Sequence, residues 1–416
     1  MGRTFHIRPQ RMITNAAHRG IVLSGALVAA VACQMGDNEH LGEVRRPSIG
    51  GIDDIASMDV TADGDRLHAL LSATMPQHTT AAVVYTSSND HGATWSTPVP
   101  LGQRGDPAPI AGHGNEVQIA ADGPNLVAVW QGAGAVPGTG PMIVAFSRDG
   151  GTSWSRGANP ATGDLTNNQS YMDLTADDDG LFHLVWLDDR DENGNSQGLR
   201  YARSLDQGET WHAETTLDAT ACTCCWNRVA ALPGDGIVVL YRDQEPHDMR
   251  LSRSEDGGTS WQPMSAVGDF GWHFSGCPHC GGALAIASQG DRATLHSIVW
   301  TGRTDAAGLY YLSSADLGHS WSSPRAIGTS LSRRADLAAA SGELAAVFAD
   351  VAAQAAAVSF IRSGDAGRTW SQPRLLTQMA ETSGQPRVLA TTDGFQAFWT
   401  EKDSAGRDIL ATAHLN

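Results

Sequence analysis

Apolar and polar positions alternate in short runs along most of the chain, and the runs come in pairs. Asp54–Val60 is followed by Leu67–Leu71, Glu116–Ala120 by Leu126–Trp130, Tyr171–Thr175 by Leu181–Trp186, and Arg228–Leu232 by Ile237–Tyr241. Three further pairs are Ala283–Ala287 with Thr294–Trp300, Ala335–Ala339 with Leu344–Phe348, and Val388–Thr391 with Phe395–Trp399. Short alternating runs separated by Gly and Asp predict antiparallel strands joined by tight turns. A third run follows several pairs, as at Ala81–Tyr85, Met142–Phe146 and Val358–Ile361.

After the third run a signature returns six times, Ser-x-Asp-x-Gly-x-(Thr/Ser)-Trp. Its aspartates are Asp90, Asp149, Asp206, Asp256, Asp316 and Asp365, spaced 59, 57, 50, 60 and 49 residues apart. An Asp carboxylate can accept bonds from nearby backbone N–H groups, and Gly takes a positive φ without steric cost, so each copy reads as a turn. The Trp then brings a large apolar surface to the next strand. Repetition at this period means a closed array of similar units.

The signature resembles the Asp-box, or bacterial neuraminidase repeat, whose best-known carriers are the sialidases. In that family the box is the turn between the third and fourth strands of a propeller blade and lies away from the ligand face. The resemblance therefore implies fold and not catalysis. An all-β chain forming a single β-propeller of four-stranded antiparallel blades is expected. Seven inner pairs point to seven blades, a departure from the six of sialidases. Six remain an alternative if the first or last pair is a loose hairpin. The last unit ends at Ile409–Leu415 without a fourth strand, which Gly42–Ile49 is expected to supply, closing the ring and removing exposed edges.

The first 32 residues read as an export signal. Arg3, Arg8, Arg11 and Arg19 precede an apolar run from Ile21 to Val31, too short to span a bilayer. Small residues then lead to Cys33, resembling a bacterial lipobox in which Cys33 is lipidated; Ala30 stands where Leu is usual. Cleavage near Ala32 without a lipid is the alternative. Residues 33–41 read as a tether, residues 42–416 as the propeller, and Gln34 after the Cys favours the outer membrane. The expected location is the cell envelope, with the membrane as a partner through the lipid. The signal carries four Arg and no acid, so its removal takes the formal charge from −17 to −21. A surface that acidic argues against nucleic acid and leaves a small molecule, glycan or protein as the ligand.

Five cysteines remain: Cys222, Cys224 and Cys225 before Trp226, and Cys277 and Cys280 in Gly-Cys-Pro-His-Cys-Gly. Each group precedes the innermost strand of consecutive repeats, blades four and five. In a propeller such positions lie at one height around the channel, so the groups should be neighbours on the ligand face. Disulfides are one reading for an exported chain, although five is odd. A soft-metal site for copper or zinc is another, with Cys222, Cys224, Cys225, Cys277, His279 and Cys280 as ligands and His273 close by. The Cys277–Cys280 spacing also fits a redox thiol pair, without the βαβ context of thioredoxin. The segment resembles a branch of sialidase-like proteins with Cys-x-Cys-Cys-Trp and, a blade later, Gly-Trp-x-x-x-Gly-Cys-Pro, here Cys222–Trp226 and Gly271–Pro278. That likeness extends through Tyr241-Arg-Asp243 and the box at Ser254–Trp261.

The resemblance also implies what a sialidase needs: three arginines for the substrate carboxylate, a Tyr assisted by a Glu, and an Asp as acid/base. Arg46-Pro-Ser48 lacks the Ile of the family's first arginine motif and stands several residues early. No Asp or Glu occurs between Arg66 and Asn89, where the acid/base is expected. The residues left for an exo-α-sialidase are Tyr171, Glu116, Arg334 and Arg387, with Asp173 and Arg228 beside them. The run Asp188–Asp191 reads as a polar hairpin. The leading expectation is a binding protein with a cysteine-rich site, and a sialidase-type glycosidase is the alternative.

Overall fold

The computed structural model describes residues 42–415 other than 113, 191–195, 291, 353–354 and 378–385. The signal, the tether, Cys33 and Asp191 lie outside the described residues. Among those described there is no helix, and the strands form seven antiparallel sheets, each running outward from the channel in sequence order. The chain is a seven-bladed β-propeller.

Blade 1 is typical: Asp54–Asp63, Arg66–Thr74, Ala82–Ser88 and Val99–Pro100. The innermost strands of blades 3 to 7 are Gln169–Ala176, Arg228–Ala231, Ala283–Gln289, Ser332–Ala340 and Arg387–Thr391. Blade 2 differs from its expected pattern. Pro109–Ile110 and Gln118–Asp122 pair in turn along Asn125–Gly132, so its innermost strand is interrupted. The expected strand start at Glu116 is therefore part of a loop, which carries Asn115 and Glu116 inward.

Ring closure is as expected. Blade 7 has three strands of its own, and Arg45 exchanges both backbone bonds with Thr412, at 2.8 and 2.9 Å, while Gly42 N–H donates to His414 O at 2.9 Å. Around the channel, inner-strand carboxylates bond across blades. Asp59 accepts from Ile119 N–H at 2.9 Å, Asp173 from Val229 N–H at 2.7 Å, and Asp336 from Val388 N–H at 3.0 Å.

The six boxes share one geometry. In the first, Asp90 Oδ1 accepts from Ser88 Oγ at 2.7 Å and from Thr94 N–H at 2.8 Å, and Gly92 N–H donates to Ser88 Oγ at 2.9 Å. The box tryptophans pack on the preceding blade, Trp154 on Tyr85, Trp261 on Tyr201 and Trp370 on Tyr311, with ring centroids 5.3, 4.7 and 5.1 Å apart. Such pairs contribute about 0.5–1.5 kcal/mol each beyond their burial. The same three tyrosines each bond a histidine Nδ1 at 2.7 Å, from His68, His183 and His296. This His–Tyr pair in blades 1, 3 and 5 was not part of the sequence expectation.

Burial pushes the imidazoles of His68 and His296 down to about 4. The folded chain refuses a proton that the unfolded chain accepts below 6.5, so their share of stability is intact above pH 6.5 and is lost between pH 6.5 and 4. The slope is up to about 1.4 kcal/mol per pH unit for each. A His68→Gln/His296→Gln variant should show a flatter denaturation midpoint over that window; equal slopes would contradict this assignment. The box carboxylates of Asp149, Asp256, Asp316 and Asp365, held at about 2 by their hydroxyl and backbone donors, contribute only to losses below pH 3.8.

Candidate functional site

The cysteine loops and the boxes lie on opposite faces. Residues 223–227 connect the outermost strand of blade 3, Thr215–Cys222, to the innermost strand of blade 4. Residues 268–282 make the corresponding connection from blade 4 to blade 5. Boxes instead join third to fourth strands, and in an antiparallel blade those turns emerge at the other end.

Three sulfurs converge. Cys222 Sγ lies 3.3 Å from Cys225 Sγ and 3.8 Å from Cys224 Sγ, and all three side chains are 3% exposed or less. These separations are too long for S–S bonds, which measure about 2.05 Å, and none of the five described cysteines is joined in a disulfide. One ligand atom from each of the three falls within 4.8 Å of the others. A second set, Cys224, Cys277 and His279, meets the same limit, with Cys277 and His279 exposed. Cys224 belongs to both.

The loops are locked by glycine and tryptophan. Trp226 Nε1–H donates to Gly282 O at 3.1 Å, and its backbone O lies so near Gly281 that a Cβ there would meet it at 2.3 Å. Only glycine permits that approach between blades. Trp272 packs edge-on against Trp300 at 5.2 Å, and Asp248 receives the backbone N–H groups of Gly271 and Trp272 at 2.6 and 3.2 Å.

Beneath the cluster is Arg242, 1% exposed. Its Nε–H donates to Cys280 O and one Nη2–H to Trp300 O, both at 2.8 Å, and its Nη1–H donates to His247 O. Its charge is met by these carbonyl dipoles and by the face of Trp272, 5.4 Å from the ring centroid. Shared S–H bonds from Cys224 and Cys225, together with Arg242, pull the Cys222 thiol well below its ordinary value. Burial pushes the Cys225 thiol up. The arrangement favours one thiolate with two thiols that ionise when a cation joins them. His247, 1% exposed with neither ring nitrogen bonded, stands close enough for the Cys222 charge to act on it.

Cys280, an expected ligand, and the nearby His273 lie apart. Cys280 is in neither donor set; His279, at φ 49°, turns the chain between Cys277 and Cys280, and Cys280 is buried in the apolar cluster with Trp226 and Trp272. His273 is exposed and paired with Glu245.

The sialidase candidates surround the neighbouring channel. Tyr171, at φ 52° on a bulge, packs against the three buried cysteines, and burial followed by the nearby sulfurs pushes its phenol up. Glu116 is buried and accepts from Gly114 N–H at 2.9 Å; burial raises its carboxyl against the pull of Arg387 and Arg228. Arg387 is paired with Asp59 at 2.6 Å and donates to Gln118 at 3.2 Å, and Arg228 is paired with Asp173 at 3.0 Å. Arg334, at φ 56°, feels the Glu116 charge, and burial lowers its guanidinium. The arginines meet Asp59, Asp173 and Glu116, and no hydrogen bond joins Tyr171 to Glu116. Asp188, read as part of a polar hairpin, instead ends the second strand of blade 3 as a buried anchor for Arg190, Arg200 and the Trp186 Nε1–H.

The BNR repeat-like domain matches residues 57–264, half of the chain. The chain belongs to that family. No curated protein sequence matches it. Among solved structures, one similar in shape is an ulvan lyase of family PL25 bound to -[GlcA(1-4)Rha3S]-, with a TM-score of 0.57 and 13% identity over 88% of this chain and 93% of that one. A protein of unknown function from Dyadobacter fermentans DSM 18053 has a TM-score of 0.51 and 12% identity over 90% and 98%. Trypanosoma rangeli sialidase in complex with the inhibitor DANA has a TM-score of 0.50 and 9% identity over 88% and 55%. At these identities the likeness is one of fold. The BNR repeats thus account for the propeller, and the chemistry rests on this chain's own residues.

Proposed function

We propose that this BNR propeller is an exported, lipid-anchored binding protein whose functional centre is a soft-metal site at the mouth of blades 4 and 5. The observation that carries the reading is the convergence of the Cys222, Cys224 and Cys225 sulfurs within 4.8 Å. Three buried thiolates suit copper(I), and zinc if a fourth ligand joins them. Arg242 offsets part of the negative charge that three thiolates would place in the interior. Anchoring through Cys33 to the cell envelope is supported by the arginine-led apolar run before it. The acidic surface would attract cations and repel nucleic acid.

A sialidase-type glycosidase has less support. Of the arginines left for a carboxylate clamp, Arg387 is committed to Asp59, and the adjacent Arg228 is committed to Asp173. The Tyr171 phenol faces sulfur and lacks a bonded Glu.

The test is metal content, measured by mass spectrometry on signal-free protein exported from cells grown with added copper and zinc. Close to one equivalent is expected, and less than about a tenth of that in a Cys224→Ser/Cys225→Ser variant, since each lost thiolate removes a first-sphere bond. Metal-free wild-type protein, or equal metal in the variant, would overturn the proposal.

A further inference from the structure

The two donor sets differ in exposure and share one member. Cys222, Cys224 and Cys225 are enclosed, and Tyr171 packs against them. Cys277 and His279 are exposed, and Cys277 also lines a cleft of about 430 Å³ with Thr223, Gln244, Glu245, His273 and Phe274. Thr223, between the inner cysteines in sequence, touches Cys277 Sγ through Oγ1 at 3.5 Å. An enclosed trithiol set needs an entry path for an ion that travels bound to other ligands. The outer set provides one, because Cys224 can hold the ion while its other ligands change.

Resting on the soft-metal reading, we propose that Cys224, Cys277 and His279 form an entry position, from which a copper(I) ion passes to Cys222, Cys224 and Cys225 by ligand exchange around Cys224. The ion arrives already ligated, and its previous ligands leave as bonds to Cys224 Sγ, Cys277 Sγ and the His279 ring nitrogen form, taking up the protons that the two thiols release. The exchange is not a redox step. Bonds to Cys277 Sγ and the His279 ring nitrogen break, and bonds to Cys222 and Cys225 Sγ form. Where Cys222 is already ionised, the proton leaving Cys225 balances the one returning to Cys277. Where both inner thiols are protonated, one proton goes to solvent. Cys224 stays bound throughout.

Rate and affinity then separate between the two sets. Copper(I) supplied as its bicinchoninate complex, followed by stopped-flow absorbance and by equilibrium competition, reads both. Wild type should take up one ion per chain. Cys277→Ser and His279→Gln should load more slowly, by about tenfold or more, while equilibrium affinity changes by less than about threefold. Cys222→Ser should capture the ion rapidly but hold it at least about 100-fold less tightly, and Cys224→Ser should do neither. Circular dichroism and the thermal midpoint of each metal-free variant exclude loss of fold as the cause. Unchanged loading in Cys277→Ser would overturn the entry position while leaving the metal site standing. So would an affinity loss in Cys277→Ser equal to that in Cys222→Ser, which means a single shared site, or two ions per chain, which means separate sites. No uptake by wild type would overturn the underlying metal reading.

Discussion

Arg387→Met should destabilise the propeller by about 3–5 kcal/mol, because it strands a buried carboxylate rather than removing a surface charge. Arg387 begins the innermost strand of blade 7 and reaches Asp59 of blade 1 at 2.6 Å and Gln118 of blade 2 at 3.2 Å. Its charge also acts on Asp173, Asp336 and Glu116. The channel is therefore a set of buried acids balanced by few cations, and burial already pushes the Asp173 carboxyl up to about 6. The measurement is a double-mutant cycle by chemical denaturation. Adding Asp59→Asn to Arg387→Met should restore much of the loss, since the unpaired charge is then gone. Additive losses would mean that Arg387 acts through packing alone.

Arg242→Met should cost a similar amount, about 3–5 kcal/mol, by a different route. Three buried carbonyls, those of Cys280, His247 and Trp300, lose their charged donors together, and each unmet acceptor costs about 1–3 kcal/mol before relaxation. Arg242→Lys should recover only part, because an ammonium cannot reach three acceptors fixed to the guanidinium plane. Arg242→Met also removes a cation that acts on Cys222, so that thiol should titrate higher. Reaction with an alkylating thiol reagent across pH reads that change. An unfolding free energy within about 0.5 kcal/mol of wild type would contradict the role assigned to Arg242.

Much of the architecture was legible because a propeller repeats its register. The seven inner strand pairs gave the blade count, and the unpaired last unit pointed to residues 42–49 as the closing strand, which Arg45 and Thr412 bear out. The same register brought Cys222–Cys225 and Cys277 together from more than 50 residues apart, since both precede an innermost strand. Partner choice was not legible. Nothing in a run reading Leu-Tyr-Arg-Asp indicates that Arg242 turns inward to three carbonyls. Spacing suggested Cys277 and Cys280 as a pair, but the left-handed turn at His279 directs Cys280 into the core. Glu116 read as a strand residue, and the interruption of blade 2 instead carries it into the channel on a loop. Arg228 was correctly placed at a strand start, while its pairing with Asp173, and that of Arg387 with Asp59, depends on side-chain directions across blades.

X-ray absorption at the zinc edge of the zinc-loaded, signal-free protein tests the central claim most directly. A shell of at least about three sulfur scatterers at about 2.3 Å is expected, lost in the Cys224→Ser/Cys225→Ser variant. A shell made only of nitrogen and oxygen at about 2.0–2.1 Å would contradict a thiolate centre on this propeller face.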